Sequence, residues 1–391
     1  MKQALLRIGC LCFTLLLLLL TGACKSSDAS KEATVAPATE EQEDQPQAEP
    51  STEPETAPVT QELQTRPQTY AISEVCNRLK LHGRMQLLPS GLACDFTASG
   101  IEFTVCAQGT VELKVQPTKD TYFTVWIDGV RQEKRFHAPA GTSTLTLADF
   151  SDGQMHTLRI LKQTEARFSL CIFQSIRFLG DWGEKPVASD TYIEFIGDSI
   201  LCGHGNLCIV GDEGEGTALY EDGTLGFAYL TAEALGADCS IVSCSGVGLD
   251  KGFTAFKATD FYPKLSYYRD KIANHDFARI PDLVVINLGT NDQTKGSAKE
   301  AVVEGVKRLI GIVREQYGSV PIVWTHHMMG DESVIPWIRE AIDSLGGEDA
   351  GVYLCELNKD RLGGNGHPTE DGHLIAARKL RLFLKEKDLL A

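Results

Sequence analysis

Four separated blocks of the 391-residue chain hold side chains that could do chemistry together. In the first, Ile193-Glu194-Phe195-Ile196 reads as a short apolar strand that runs into Gly197-Asp198-Ser199. A serine delivered at the carboxyl end of a parallel strand stands where open α/β sheets bind ligands, which makes Ser199 a candidate nucleophile. The same three residues also suit an ordinary helix cap, so the block alone does not decide. Serine hydrolysis further needs a base and donors for an oxyanion. Ser243-Cys244-Ser245-Gly246-Val247-Gly248-Leu249 offers the Gly246 N–H, and Asn287-Leu288-Gly289-Thr290-Asn291-Asp292 offers the Asn291 amide. Read singly, these are as readily a close-packing turn and a turn or cap. Gly363-Gly364-Asn365-Gly366-His367-Pro368-Thr369 places a histidine in a glycine-rich loop before the final helix, from which His367 can reach back to Ser199. His204, His326, His327 and His373 have no partner in the pattern and are expected to be structural or solvent-facing.

The elements that must position these blocks change character near residue 185. Upstream, Ile101 to Val105, Thr110 to Val115 and Tyr122 to Ile127 alternate apolar and polar residues, and Asp128-Gly129 is a hairpin-type turn. Further strands are expected at Ser143 to Leu147, His156 to Lys162 and Phe168 to Phe178, giving an antiparallel sandwich. Downstream, strands at Tyr192 to Ile196, Cys239 to Cys244, Leu283 to Leu288, Ile322 to Thr325 and Val352 to Leu357 alternate with helical patterns. Val302, Val306, Leu309, Val313 and Tyr317 follow a helical period, and a last helix is expected to turn Leu374, Ala377, Leu380 and Leu384 inward. Strands with crossover helices predict a parallel sheet in a three-layer α/β/α sandwich.

Residues 1–23 read as an export signal. Lys2 and Arg7 precede an unbroken leucine run, and Thr21-Gly22-Ala23 is a small-residue cleavage site before Cys24. The segment resembles a bacterial lipoprotein signal, which implies lipidation at Cys24 and a lipid-anchored place in the cell envelope. Residues 25–67 contain three Lys/Arg against ten Asp/Glu and almost no large apolar side chains, so a disordered acidic tether is expected. The remaining boundaries fall at 68–182 for the sandwich and 188–391 for the α/β domain. A net charge of −16 argues against an electrostatic nucleic-acid binder and favours neutral or cationic partners. The twelve cysteines show no regular spacing and form no disulfide framework. Cys202 and Cys208, flanking the serine turn, are the pair to check for a bridge.

Gly197-Asp198-Ser199, Gly246, Gly289-Thr290-Asn291-Asp292 and His367-Pro368 resemble, in order and strand position, the blocks of the SGNH (GDSL-like) hydrolases. With the upstream sandwich, residues 70–391 look like carbohydrate esterase family 2, in which a jelly-roll domain precedes the hydrolase domain. The resemblance implies a carbohydrate O-acetyl esterase acting on xylan- or glucomannan-type polysaccharides or their oligosaccharides, with no metal or organic cofactor. Ser199 would attack, His367 would be the base, and the Ser199 N–H, Gly246 N–H and Asn291 amide would hold the oxyanion. Asp198 is read as structural. One departure stands out: SGNH enzymes commonly carry an aspartate two or three residues before the histidine, where this chain has Asn365 and Gly364. A Ser-His dyad oriented by a loop carbonyl or by the Asn365 side chain is then expected, with Asp371 serving the following helix. Alternatives are an SGNH esterase for lipid or sialic acid acetyl groups, and a non-catalytic glycan-binding lipoprotein.

Overall fold

Alternating residues between Gly100 and Phe178 build two antiparallel sheets that bury their apolar faces against each other. The computed structural model describes residues 65–330 and 332–390, so the signal, Cys24 and the tether up to residue 64 lie outside the described residues. Gly109–Pro117 and Cys171–Phe178 are central in a six-stranded sheet, and Gly100–Ala107, Met155–Lys162 and Thr121–Ile127 are central in a seven-stranded one. Phe103 and Val105 from one sheet share a core with Leu113, Val115 and Phe173 from the other. The Asp128-Gly129 turn has φ of 51° and 78° and directly joins paired Ile127 and Val130. Two positive φ values are what a two-residue hairpin turn requires.

One expected strand is shorter than the sequence suggests. Cys171, not Phe168, begins the last long strand, and residues 163–170 leave the sheet. The cause is Lys162, fully buried, whose Nζ donates to the carbonyls of Asp95, Thr164 and Glu165 and folds the chain over itself. A buried ammonium must find such acceptors, and satisfying it takes the segment out of the ladder.

The five-stranded sheet that follows is parallel throughout. Its first strand, Tyr192–Gly197, lies between the second, Asp238–Ser243, and the third, Leu283–Asn287; Ile322–His326 and Val352–Glu356 complete it. This order places a topological switch point beside the first strand, where the chain delivers Ser199. The helix Lys299–Tyr317 buries Val302, Val306, Leu309, Val313 and Tyr317 on one face of the sheet, as their spacing predicts. On the other face the helix Glu370–Glu386 buries His373, Ala376, Ala377, Leu380 and Leu384, whereas Leu374 is 40% exposed at the rim. His373 takes the inward place because its Nδ1 accepts the Phe227 N–H at 3.2 Å, and the alanine pair lets the helix approach closely.

Ion pairs fix the sandwich to the parallel sheet. Arg84 reaches Glu194 of the first strand at 3.0 Å with both side chains buried, Arg131 meets Asp222 at 2.9 Å, and Arg269 pairs with Asp95. Removing one member of such a pair leaves a buried charge uncompensated, so these contacts hold the two parts in one register. The consequence for function is that loop 163–170 of the sandwich can contribute to a site on the sheet. Among the described residues no cysteine is bridged, and no helix is long and apolar enough to cross a membrane. Cys202 Sγ points to Ser243 Oγ at 3.2 Å and Cys208 Sγ to the Gly205 carbonyl, so the two sulfurs face different partners.

Candidate active site

The first strand of the sheet is buried along its whole length and ends in a turn too tight for a side chain at Gly197, where a Cβ would stand 2.8 Å from the Asn287 carbonyl oxygen. Asp198 then caps a one-turn helix, Ser199–Cys202, by accepting the Ile200 N–H at 3.1 Å. Cap and nucleophile candidate are therefore neighbours: Asp198 does the capping, and the Ser199 hydroxyl is left for His367, whose Nε2 lies 2.8 Å from Oγ. The Ser199 N–H is among the first-turn amides that a helix leaves without an intrahelical acceptor.

His367 is oriented by backbone. Its Nδ1 lies 3.1 Å from the Gly364 carbonyl, an acceptor only, so the ring carries its proton there and presents a lone pair to Ser199. Asn365, in the left-handed region at φ 53°, turns its side chain away and places Nδ2 3.3 Å from Nε2 of His204. Burial first, and then the neighbouring His204 ring at 4.6 Å, lowers the His367 pKa to about 3. A lowered value keeps the imidazole neutral and able to accept a proton as pH falls. The acid limb of kcat/KM should accordingly lie well below the ordinary histidine value of about 6.5. Asn365→Gly, which keeps a residue at ease at positive φ, should change kcat/KM by no more than about threefold and leave that limb in place. A pH–rate profile with its midpoint at or above the ordinary value, or a large loss in Asn365→Gly, would contradict the backbone-oriented dyad.

Gly246 and Asn291 border the same space. Gly246 has φ 83°, and a Cβ there would meet Phe253 at 2.9 Å, so the position demands glycine on both counts. The loop is held at each side: the Ser245 N–H donates to Glu165 Oε2 at 2.8 Å, and Asp292 accepts from the amides of Leu249, Asp250 and Lys251. Asn291 Nδ2 donates to the Val247 carbonyl at 2.8 Å and to Asp198 Oδ2 at 3.1 Å. With no substrate, both of its hydrogens already have acceptors.

Several residues at the site escaped the sequence reading. Glu165, Arg167 and Phe168 arrive from the sandwich loop, and His204, expected to be structural or solvent-facing, is only 4% exposed and forms part of the cleft wall against His367. His204 stacks on Phe168 with ring planes 5° apart, and its Nδ1 faces Glu221 Oε2 at 3.3 Å. Position offered one signal: Gly203-His204-Gly205 lies one short turn beyond Ser199. Nothing local marks Glu165.

Glu165, His204 and Glu221 bring ligand-type atoms within 4.8 Å of one another, the one such grouping among the described residues. Their donors are mostly committed, however. Glu221 Oε1 accepts the Glu165 N–H, Oε2 faces His204, and Glu165 Oε2 holds Ser245, which leaves Glu165 Oε1 alone without a partner. Burial raises the two carboxyls, Glu165 to about 7 and Glu221 to about 8, so protons can neutralise them near neutral pH.

Ser199, His204, Gly246, Asn291 and His367 line one cleft of about 710 Å³, completed by Phe253, Tyr268 and two arginines. Residues 81–184 match the carbohydrate esterase 2 N-terminal family, and residues 195–375 match the GDSL-like lipase/acylhydrolase family. The cellulase/esterase CelE of Acetivibrio thermocellus is 29% identical over 323 residues, 76% of this chain and 38% of its own length. An acetylxylan esterase/glucomannan deacetylase of Cellvibrio japonicus is 32% identical over 149 residues, 35% of this chain and 39% of that protein. The matched regions thus span well under half of either relative. A family two carbohydrate esterase from Clostridium thermocellum, solved with cellohexaose, superposes with a TM-score of 0.75 at 27% identity, covering 80% of this chain and all of that one. A carbohydrate esterase 2 N-terminal domain thus leads directly into a GDSL-like hydrolase domain, and the solved family two carbohydrate esterase shares that arrangement over its whole length.

Proposed function

We propose that this protein removes O-acetyl groups from plant-type polysaccharides or their oligosaccharides through an acetyl-enzyme on Ser199. The observation that carries the reading is the 2.8 Å contact between Ser199 Oγ and His367 Nε2 in a cleft that also presents Gly246 and Asn291. In the first half-reaction Oγ bonds to the acetyl carbon and its proton passes to Nε2. The negative charge on the carbonyl oxygen is met by the Ser199 and Gly246 N–H groups and the Asn291 amide. As the acetyl–oxygen bond to the sugar breaks, Nε2 returns the proton to the leaving alkoxide. A water then gives a proton to the same nitrogen as its oxygen bonds to the acetyl carbon; the Oγ–carbon bond breaks, Nε2 returns the proton to Oγ, and acetic acid leaves and ionises to acetate. Every proton moves through His367, which the Gly364 carbonyl keeps in the required tautomer.

The relatives named for esterase and deacetylase activity, and the neighbour solved with cellohexaose, support a carbohydrate substrate. Acetate release should be measured from acetylated xylan, acetylated glucomannan, O-acetylated sialic acid and a short-chain lipid ester side by side. Release from the plant polysaccharides above the other two is the expected result. Turnover of the lipid or sialic ester alone would replace the substrate class, and none at all would leave a glycan-binding protein.

We further propose that the protein is exported and anchored by a lipid on Cys24, the reading supported by Thr21-Gly22-Ala23-Cys24 after the leucine run. Cys24→Ser should move the full chain from the membrane fraction to the soluble fraction. Unchanged partition would remove the anchor.

A further inference from the structure

Two arginines, Arg167 and Arg361, line the catalytic cleft, and no aspartate or glutamate does. Among the described residues neither guanidinium has a hydrogen bond or an ion-pair partner; Arg167 only rests over the Phe168 ring, 5.8 Å from its centre. Both stand on the histidine side. Arg361 approaches Gly366, the residue before His367, and Phe168 next to Arg167 stacks on His204, whose ring abuts His367. Because His367 hands its proton to the departing sugar oxygen, this is the side that receives the sugar and not the acetyl group. Among the described residues no carboxylate is paired with either guanidinium: Glu215 hydrogen-bonds the amides of Gly211 and Asn365 instead, and Glu165 and Glu221 are buried behind His204 and committed to Ser245, Glu165 and His204.

We propose, on the esterase reading of this cleft, that Arg167 and Arg361 form a subsite for a carboxylated sugar, so that the preferred substrate carries a carboxylate close to its acetyl ester. A guanidinium fork matches a carboxylate in two parallel hydrogen bonds, which a neutral hydroxyl cannot equal. The overall charge of −16 does not oppose this, because charges beyond a Debye length of about 8 to 10 Å are screened and the cleft presents its own sign. The carboxylate could come from a hexuronate in a plant polysaccharide or from a sialate.

The test uses an acetylated xylo-oligosaccharide with a glucuronate branch, its uncharged methyl ester, and an O-acetylated sialoside with its methyl ester. Affinities are read by calorimetry on the Ser199→Ala protein, with and without Arg167→Gln and Arg361→Gln, and kcat/KM on the protein with Ser199 intact. The free carboxylate should bind about tenfold tighter than its ester at low salt, less at high salt, and the double arginine variant should lose the preference. The pair showing the preference identifies the source of the carboxylate. Equal affinity for acid and ester, or a preference that survives in the double variant, would overturn the subsite. Acetate release from none of the four compounds, with the binding preference intact, would sink the esterase reading and leave the subsite standing. Both arginines are exposed, so the glutamine variants should keep the wild-type melting temperature, which is checked alongside.

Discussion

Ser199→Ala should lower acetate release by at least about 10⁴-fold while the protein remains folded, because in the proposed reaction the Ser199 hydroxyl, 2.8 Å from His367 Nε2, forms the acetyl-enzyme. The expectation follows from how the turn divides its labour. Capping of the short helix belongs to Asp198, through the Ile200 N–H, so losing the Ser199 oxygen leaves the cap in place. What is lost is one hydrogen bond to His367 Nε2, a stability cost of about 1 kcal/mol. Activity and melting temperature should therefore separate sharply. His367→Ala should cost nearly as much, and the double variant little more than either single one, since the two residues act as a unit. Acetate release near the wild-type rate in Ser199→Ala would refute Ser199 as nucleophile. A loss matched by unfolding would show only that the turn cannot bear the change.

The residues that the sequence made legible share one property: their signal is local or repeats along an element. All five parallel strands lie where their apolar runs predict, and the helix carrying Val302 to Tyr317 buries the expected stripe. The Asp128-Gly129 turn was readable because positive φ at two successive positions restricts the residue types so strongly. Ser199 and His367 are recoverable because glycines mark both, Ser199 at the exit of the first strand and His367 in the loop before the final helix, which reaches back past the two strands lying between the first and the last. The parts that were not legible depend on contacts between distant segments. Residues 168–170 read as the start of a strand, whereas the buried Lys162 ammonium holds loop 163–170 aside, which brings Arg167 to the cleft, Phe168 against His204 and Glu165 to the Ser245 N–H. The sequence leaves two acceptors open for His367, a loop carbonyl and the Asn365 side chain; the left-handed backbone at Asn365 sends that side chain to His204 and leaves the Gly364 carbonyl for the ring. At Leu374 the helical period was right, but the face was set a step away by His373 and its bond to Phe227.

Asn291→Ala should lower kcat by about 10² to 10³ with little change in KM, the signature of a donor that works on the transition state more than on bound substrate. The geometry makes this a sharper test than the turn motif alone. Both Nδ2 hydrogens are already accepted, by the Val247 carbonyl at 2.8 Å and by Asp198 Oδ2 at 3.1 Å, so an oxyanion must take one of them over. The bond to Asp198 is the longer, and burial raises the Asp198 carboxyl to about 7, which makes it a neutral and weaker acceptor on the acid side of neutrality. A full negative charge on the oxyanion outbids a neutral carboxyl, and one hydrogen can turn to it while Val247 keeps the other. As pH rises through about 7, Asp198 gains its charge, competes for the amide and opposes a second anion beside it. In the wild-type protein kcat should then fall on that limb, and in Asn291→Ala, with no amide to compete for, the fall should be shallower. An unchanged kcat in Asn291→Ala, with wild-type thermal stability, would confine Asn291 to holding the Val247 carbonyl and Asp198, and would leave the oxyanion to the two backbone amides.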